Sequence, residues 1–149
     1  MWLRNMRGLK VIFEGKSIGR VIQGIPCPTV NALDGIWIDK SFMGMRFISA
    51  EHICVIGKHA ITTDHPGERL RMKPSQLFIR AIGTDGMRLG AVTDANIHEQ
   101  SLAITHLELT CGWFEGLFGE KKLITEYRYD LRTSRIIVSA DEPEMEVEP

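Results

Sequence analysis

No stretch of this 149-residue chain approaches the ~18 consecutive apolar residues that a membrane-spanning helix requires. A basic start, Met1–Phe13, is followed by no apolar signal-type core, so neither a membrane span nor secretion is expected. Cysteine is scarce: Cys27, Cys54 and Cys111 are odd in number and lack CxxC spacing, which excludes a disulfide framework and fits buried free thiols in a reducing, cytoplasmic setting. Charge of one sign is also missing, since the net charge is −1. That balance is no electrostatic footprint for nucleic acid. The distribution is uneven, however. Residues 1–72 carry 10 Lys/Arg against 6 Asp/Glu, residues 73–149 carry 8 against 13, and five of those acids lie in the last nine residues.

What is present is a repeat. FEGKSIGRV, Phe13–Val21, returns as the end of GTDGMRLGAV, Gly83–Val92. A shift of 71 positions superposes Glu14 on Asp85, Gly15 on Gly86, Ile18 on Leu89, Gly19 on Gly90 and Val21 on Val92. The same shift later puts Ala32 on Ala103, Leu33 on Ile104, Ile36 on Leu107 and Ile38 on Leu109. An internal duplication organises the chain. Acidic-Gly pairs between apolar runs predict hairpins at Glu14-Gly15 and, more strongly, at Asp85-Gly86, because the tight turn needs positive φ. Gly19 and Gly90 fall inside apolar strands, where glycine marks a bulge, a bend or a close backbone approach.

Between these landmarks the reading is of short strands. Two prolines make Ile25–Pro28 a rigid loop. Ile36 and Ile38 alternate with Trp37 and Asp39 as in a half-buried strand, and Phe42–Met45 reads as core filler rather than a hydrophobic ligand site. Ile53, Val55 and Ile56 are expected interior residues. His65–Gln76, with two prolines and four basic residues, reads as a linker. In Leu102-x-Ile104 and Leu107-x-Leu109 the alternation skips a step, as a bulge at Thr105 and His106 would make it. Tyr127 and Tyr129 alternate on a strand, and residues 141–149 read as a disordered acidic tail.

The two copies resemble the PRC-barrel family, small β-barrels found in the cytoplasmic part of the photosynthetic reaction centre and at the C-terminus of a ribosome maturation factor. The first copy is similar through Val11-Ile12, EGKSIGRV, IWI and HICVIG. The second is similar through FIRAIGTDGMRLGAVTD, AITHLEL, CGWFEGLFGEKKL and RIIVS, so that together the copies cover about residues 8–140. The resemblance implies a mainly β chain with two small barrels in tandem, 1–68 and 77–140, joined by a linker at 69–76 and with a short helical turn in the second. It also implies protein partners and no catalytic residue. Neither relative's role transfers by residue, and the chain carries neither a ribosome-maturation partner domain nor a membrane helix.

Chemistry is thin elsewhere. Gly15-Lys16-Ser17 looks like the end of a phosphate loop, but the leading glycine's place holds Lys10. His52, Cys54, His59 and His65 form the one metal-like group; its spacing matches no zinc pattern, and His52 and Cys54 would share one face of a strand. Asp34, Asp39, Asp94 and Glu108 are scattered acids that no spacing pairs. Neither an enzyme nor a cofactor is expected. Trp113, Phe114, Leu117 and Phe118 are the candidate protein-binding or self-association residues, against plugging one barrel end. The functional expectation is a cytoplasmic protein-binding or scaffolding module. The alternative is RNA or ribosome association through Arg4, Arg7, Lys10, Lys16 and Arg20.

Overall fold

The structure is a computed structural model that describes residues 1–27, 29–70, 80–84, 86–111, 120–138 and 145–146. The chain is mainly β and divides into two compact units. Unit 1 comprises Met1–Ser75 with Ile97–Ile104; unit 2 comprises Gln76–Asn96 with Thr105–Pro149.

Unit 1 holds strands β1 (Lys10–Phe13), β2 (Lys16–Cys27), β3 (Ala32–Asp39), β4 (Met45–Ser49), β5 (Ile53–Ile56) and β6 (Ala60–Thr63). They form one sheet in the order β4-β3-β2-β1-β6-β5, with β1 parallel to β6 and every other pairing antiparallel. Glu14 (φ 50°) and Gly15 (φ 77°) make the two-residue β1–β2 turn, with both central residues at positive φ, as the acidic-Gly pair predicts. Val11 pairs with Gly19 and Ile12 with Ser17, so Ile18 is bulged out. Ile22 is likewise left over between Val21↔Ile38 and Gln23↔Trp37, and Asp34 between Ile25↔Gly35 and Pro26↔Leu33. Three bulges along the pairings of one long strand bend and twist it strongly. Gly19 combines two of its expected roles, since it adjoins a bulge and lies against the Asp39 carbonyl.

Val11, Val21, Ile36, Ile38, Ile48 and Ile61 fill the core of unit 1, joined by Leu3 and Met6 from a 3₁₀ turn at Leu3–Met6. The β3 strand is more than half-buried: Trp37 is 8% exposed, packed with Ile25 and Phe47 and covered by Leu70. Val55, expected inside, is 59% exposed, because a bulge between Ile53 and Val55 reverses the faces of β5.

Within the same unit, residues 97–104 pair with its first residues and with the β2–β3 turn. Met1 N donates to Ile97 O and Ile97 N to Met1 O, at 2.7 and 2.8 Å. Leu33 N donates to Leu102 O (2.8 Å) and Ile104 N to Asn31 O (2.7 Å), around an Ala32–Ala103 bridge. The repeat superposes Asn31 on Leu102, Ala32 on Ala103 and Leu33 on Ile104, so each bond is the other's counterpart. Asn31 (φ 52°) and Leu102 (φ 62°) share the left-handed conformation. Leu102 therefore belongs to a turn and not to the strand that follows it.

Unit 2 holds β7 (Arg80–Gly83), most of β8 (Arg88–Ile97) and β9 (Ile104–Cys111), then β10 (Glu120–Ile124), β11 (Arg128–Asp130), β12 (Arg135–Val138) and β13 (Met145–Glu146). Its order, β11-β12-β7-β8-β9-β10-β13, is that of unit 1 with one short strand added, and β7 again runs parallel to its late partner, β12. Ala81 pairs with Gly90 and Ile82 with Arg88, leaving Leu89 bulged where Ile18 is bulged in the first copy. The second hairpin loop is longer: Gly83 accepts from Gly86 N (3.0 Å) and donates to Met87 O (2.8 Å), with Gly86 at φ 83°. Val92, Ala95, Leu107, Leu109, Ile124, Ile136 and Val138 form the core of this unit. Part of the expected disordered tail, Met145–Glu146, pairs with Leu123 and Lys122 of β10. The expected helical turn falls on 112–119, outside the described residues.

Closed barrels are where expectation and structure differ. Among the described residues β4 and β5, the two outer strands of unit 1, do not pair. The free side of β4 instead takes Glu68: Phe47 N donates to Glu68 O and Glu68 N to Phe47 O, both at 2.9 Å. That edge is thus taken at Phe47 by Glu68 rather than by β5, which is only four residues long and bulged.

Candidate functional site

The β3–β4 connection of unit 1 exposes what the sequence reading placed in the core. Phe42 is wholly exposed, and Met43 and Met45 are 56% and 41% exposed. Local chemistry explains why. Asp39 Oδ1 accepts from Ser41 N (2.9 Å), Ser41 takes a positive φ of 58°, Ser41–Met43 close a 3₁₀ turn, and Gly44 (φ 74°) returns the chain. Lys40 N donates to Gly44 O at 2.9 Å and Gly44 N to Ser41 O at 3.0 Å. The turn is thus held by short bonds on both sides of its tip, and Phe42 projects from an already ordered segment. An ordered turn has less conformational entropy to lose when something binds it.

Strand register places charged residues beside this tip. Lys10↔Arg20, Arg20↔Asp39 and Asp39↔Met45 run as one row across β1, β2, β3 and β4, and all four side chains are exposed. Directly paired residues on adjacent strands share a face. Arg20 is steadied by a 2.8 Å bond from its guanidinium to Gly8 O. Ser17, Ile18, Gly19, Arg20, Asp39 and Ser41 line an open depression of about 310 Å³ next to the turn. The signal for the tip lay in the flanks: an aspartate and a serine before, and a glycine after, an apolar pair are turn chemistry, and turns lie outside.

Trp113, Phe114, Leu117 and Phe118, the predicted contact residues, lie outside the described residues. Gly15 and Gly86 sit in turns and Gly19 and Gly90 beside bulges. Of the basic set, Lys10 and Arg20 are paired in register, Lys16 is exposed at the end of the β1–β2 turn, Arg7 is exposed, and Arg4 lies 5.1 Å from the centre of the Trp2 ring.

The histidines separate into two groups. His52 and Cys54 do not share a strand face: His52 ends a 3₁₀ turn at Ala50–His52, and Cys54 is the bulged residue of β5, its thiol exposed and that of Cys27 half-buried where burial was expected. His59 is exposed in the β5–β6 turn. His52 and His65 do come together, stacked at 4.7 Å, with His52 Nδ1 at 2.8 Å from Asp64 Oδ1. Among the described residues no group of three or more His, Cys, Asp or Glu is arranged to hold a metal ion. No described helix is long and apolar enough to cross a membrane.

Two acids of unit 2 are buried to an extent the sequence reading missed. Asp94 and Glu108 are each 2% exposed. Asp94 Oδ1 accepts from Ala95 N (2.8 Å); Glu108 Oε1 accepts from Thr93 Oγ1 (3.1 Å) and lies 4.0 Å from Lys121 Nζ. Glu108 stands where the repeat puts Trp37, so the acid replaces an indole in a buried row.

Near β11, burial pushes the Tyr127 phenol from its ordinary 10.0 up to about 12, and its hydroxyl has no hydrogen-bond partner among the described residues. The unfolded phenol ionises first as pH rises, so stability present below about pH 10 is lost progressively towards pH 12. Tyr127→Phe is expected to flatten that alkaline slope and to leave stability at pH 7 unchanged or raised, because it removes an unsatisfied polar group. Urea midpoints from pH 7 to 11 check it, and a slope equal to that of the wild type counts against the buried phenol.

No family model matches the chain, and no curated protein matches it.

Proposed function

We propose that the chain is a non-enzymatic, cytoplasmic protein-binding or scaffolding module of tandem PRC-barrel type, and that unit 1 engages its partner through the Phe42–Met45 turn. The observation that carries this reading is the exposure of Phe42 and Met43 on a turn already ordered by its own hydrogen bonds. Aromatic side chains presented this way are the residue type that dominates binding hot spots. The common strand order of the two units supports a duplicated domain of this kind. Trp113, Phe114, Leu117 and Phe118 are proposed as a second contact surface, for a partner or for self-association. The adjacency of Lys10 and Arg20 favours RNA or ribosome association as the second reading.

Capture with the tagged full chain, with and without RNase and at two salt concentrations, separates the two. A protein partner that resists both treatments and is recovered at least tenfold less by Phe42→Ser is expected, since hot-spot truncations cost about 2 kcal/mol or more. The same variant should change unfolding stability by no more than about 0.5 kcal/mol, as exposed positions do. Recovery that disappears with RNase or moderate salt and ignores Phe42 would transfer the function to the basic residues.

A further inference from the structure

Residues 65–68, read from sequence as the start of a linker, form a strap across the edge of β4. Thr63 Oγ1 donates to His65 O (3.0 Å), and Gly67 N donates to His65 Nδ1 (2.9 Å). Lys40 Nζ reaches Pro66 O at 3.1 Å, and Glu68 then makes its two backbone bonds to Phe47. Gly67, at φ 94°, passes so close over β4 that a Cβ there would stand 2.8 Å from that of Arg46. Beyond the strap, Leu70 covers Ile25, Trp37 and Phe47.

We propose that His65 is the latch of this strap and that protonation of its imidazole loosens it. A backbone N–H only donates, so the ring nitrogen facing Gly67 must carry a lone pair. A proton at Nδ1 replaces that acceptor with a donor, and the bond that shapes the turn is lost. The neighbours add to the effect. His52, stacked on His65, lies between two carboxylates, with Asp64 at 2.8 Å from Nδ1 and Glu51 at 3.5 Å from Nε2. Were both stacked rings protonated, two cations would lie face to face, while Lys40 and Arg46 hold positive charge on the β4 side. Asp64, Glu51 and the Glu68 side chain are the anions on hand, and the first two already face His52. Histidine is the side chain suited to such a switch between neutral and mildly acidic conditions. This device is independent of binding at Phe42.

Residue-resolved amide exchange on the full chain, corrected for intrinsic rates, tests the latch at pH 7.5 and pH 5.0. Protection of the Phe47 and Glu68 amides is expected to fall about three- to tenfold in acid, the size of one lost hydrogen bond, while Val21, whose N–H donates to Leu9 O at 2.9 Å on the far side of β2, holds its protection. His65→Asn supplies a side-chain oxygen that accepts the same bond two residues on and does not titrate. In that variant the acid response should vanish. The response should persist in His52→Gln, which removes the stacked charge and keeps the latch. Undiminished protection in the wild type at pH 5.0, an unaltered fall in His65→Asn, or a fall abolished by His52→Gln would each overturn the assignment.

Discussion

Phe47→Ala is expected to cost about 3–5 kcal/mol of unfolding free energy, the range for removing a buried aromatic ring. Phe47 is 7% exposed and meets Trp37 edge-on, with ring centres 5.5 Å apart and planes at 63°. Gly35, on the neighbouring strand β3, leaves the space that the ring fills: a Cβ there would run into Phe47 and into the Ile48 carbonyl. Truncation therefore opens a cavity floored by backbone, which cannot collapse to close it. Urea unfolding followed by far-ultraviolet circular dichroism, with an unchanged m-value, is the measurement. A loss below about 1 kcal/mol would show that the ring is not packed as described.

Gly19→Ala should be nearly as damaging, at about 3 kcal/mol or more, the upper range for overpacking. The added methyl would collide with the Asp39 carbonyl and stand 3.0 Å from its carbon and 3.4 Å from Lys40 Cα, all main-chain atoms at the end of a paired strand. Gly15→Ala provides the contrast. Nothing lies within 4 Å of a Cβ at Gly15, but φ is +77°, so the cost is conformational alone, about 1 kcal/mol. The same urea series on both variants checks the ranking. Equal losses would mean that Gly19 and Gly15 are glycine for the same reason.

Those two glycines also mark how far the sequence could be read. Their spacing and return after 71 residues pointed to a hairpin, to a bulge, bend or close approach at the second glycine, and to a second copy of the first unit, because turn conformation and bulge placement are set by a few local residues. The fate of Phe42 was not legible from hydrophobicity, since an apolar residue inside a turn has nowhere to be buried. Cys54 and Val55 changed face through a single bulged residue, which alternation alone does not announce. The His52–His65 stack depended on how a 3₁₀ turn and the end of β6 meet, a relation between segments that pattern within either segment omits. Glu108 was buried by its place in the repeat rather than by its own character.

Residues 97–104 carry a consequence for synthesis. During translation the first 75 residues leave the ribosome well before this stretch does, yet Met1, Asn31 and Leu33 have their backbone partners there. The nascent first unit must wait with those groups bound to water, or to something else, until the hairpin of the second copy has been made. Its completion is timed by the neighbour's synthesis, and a slow codon placed between residues 76 and 104 would lengthen the interval in which it stands unfinished.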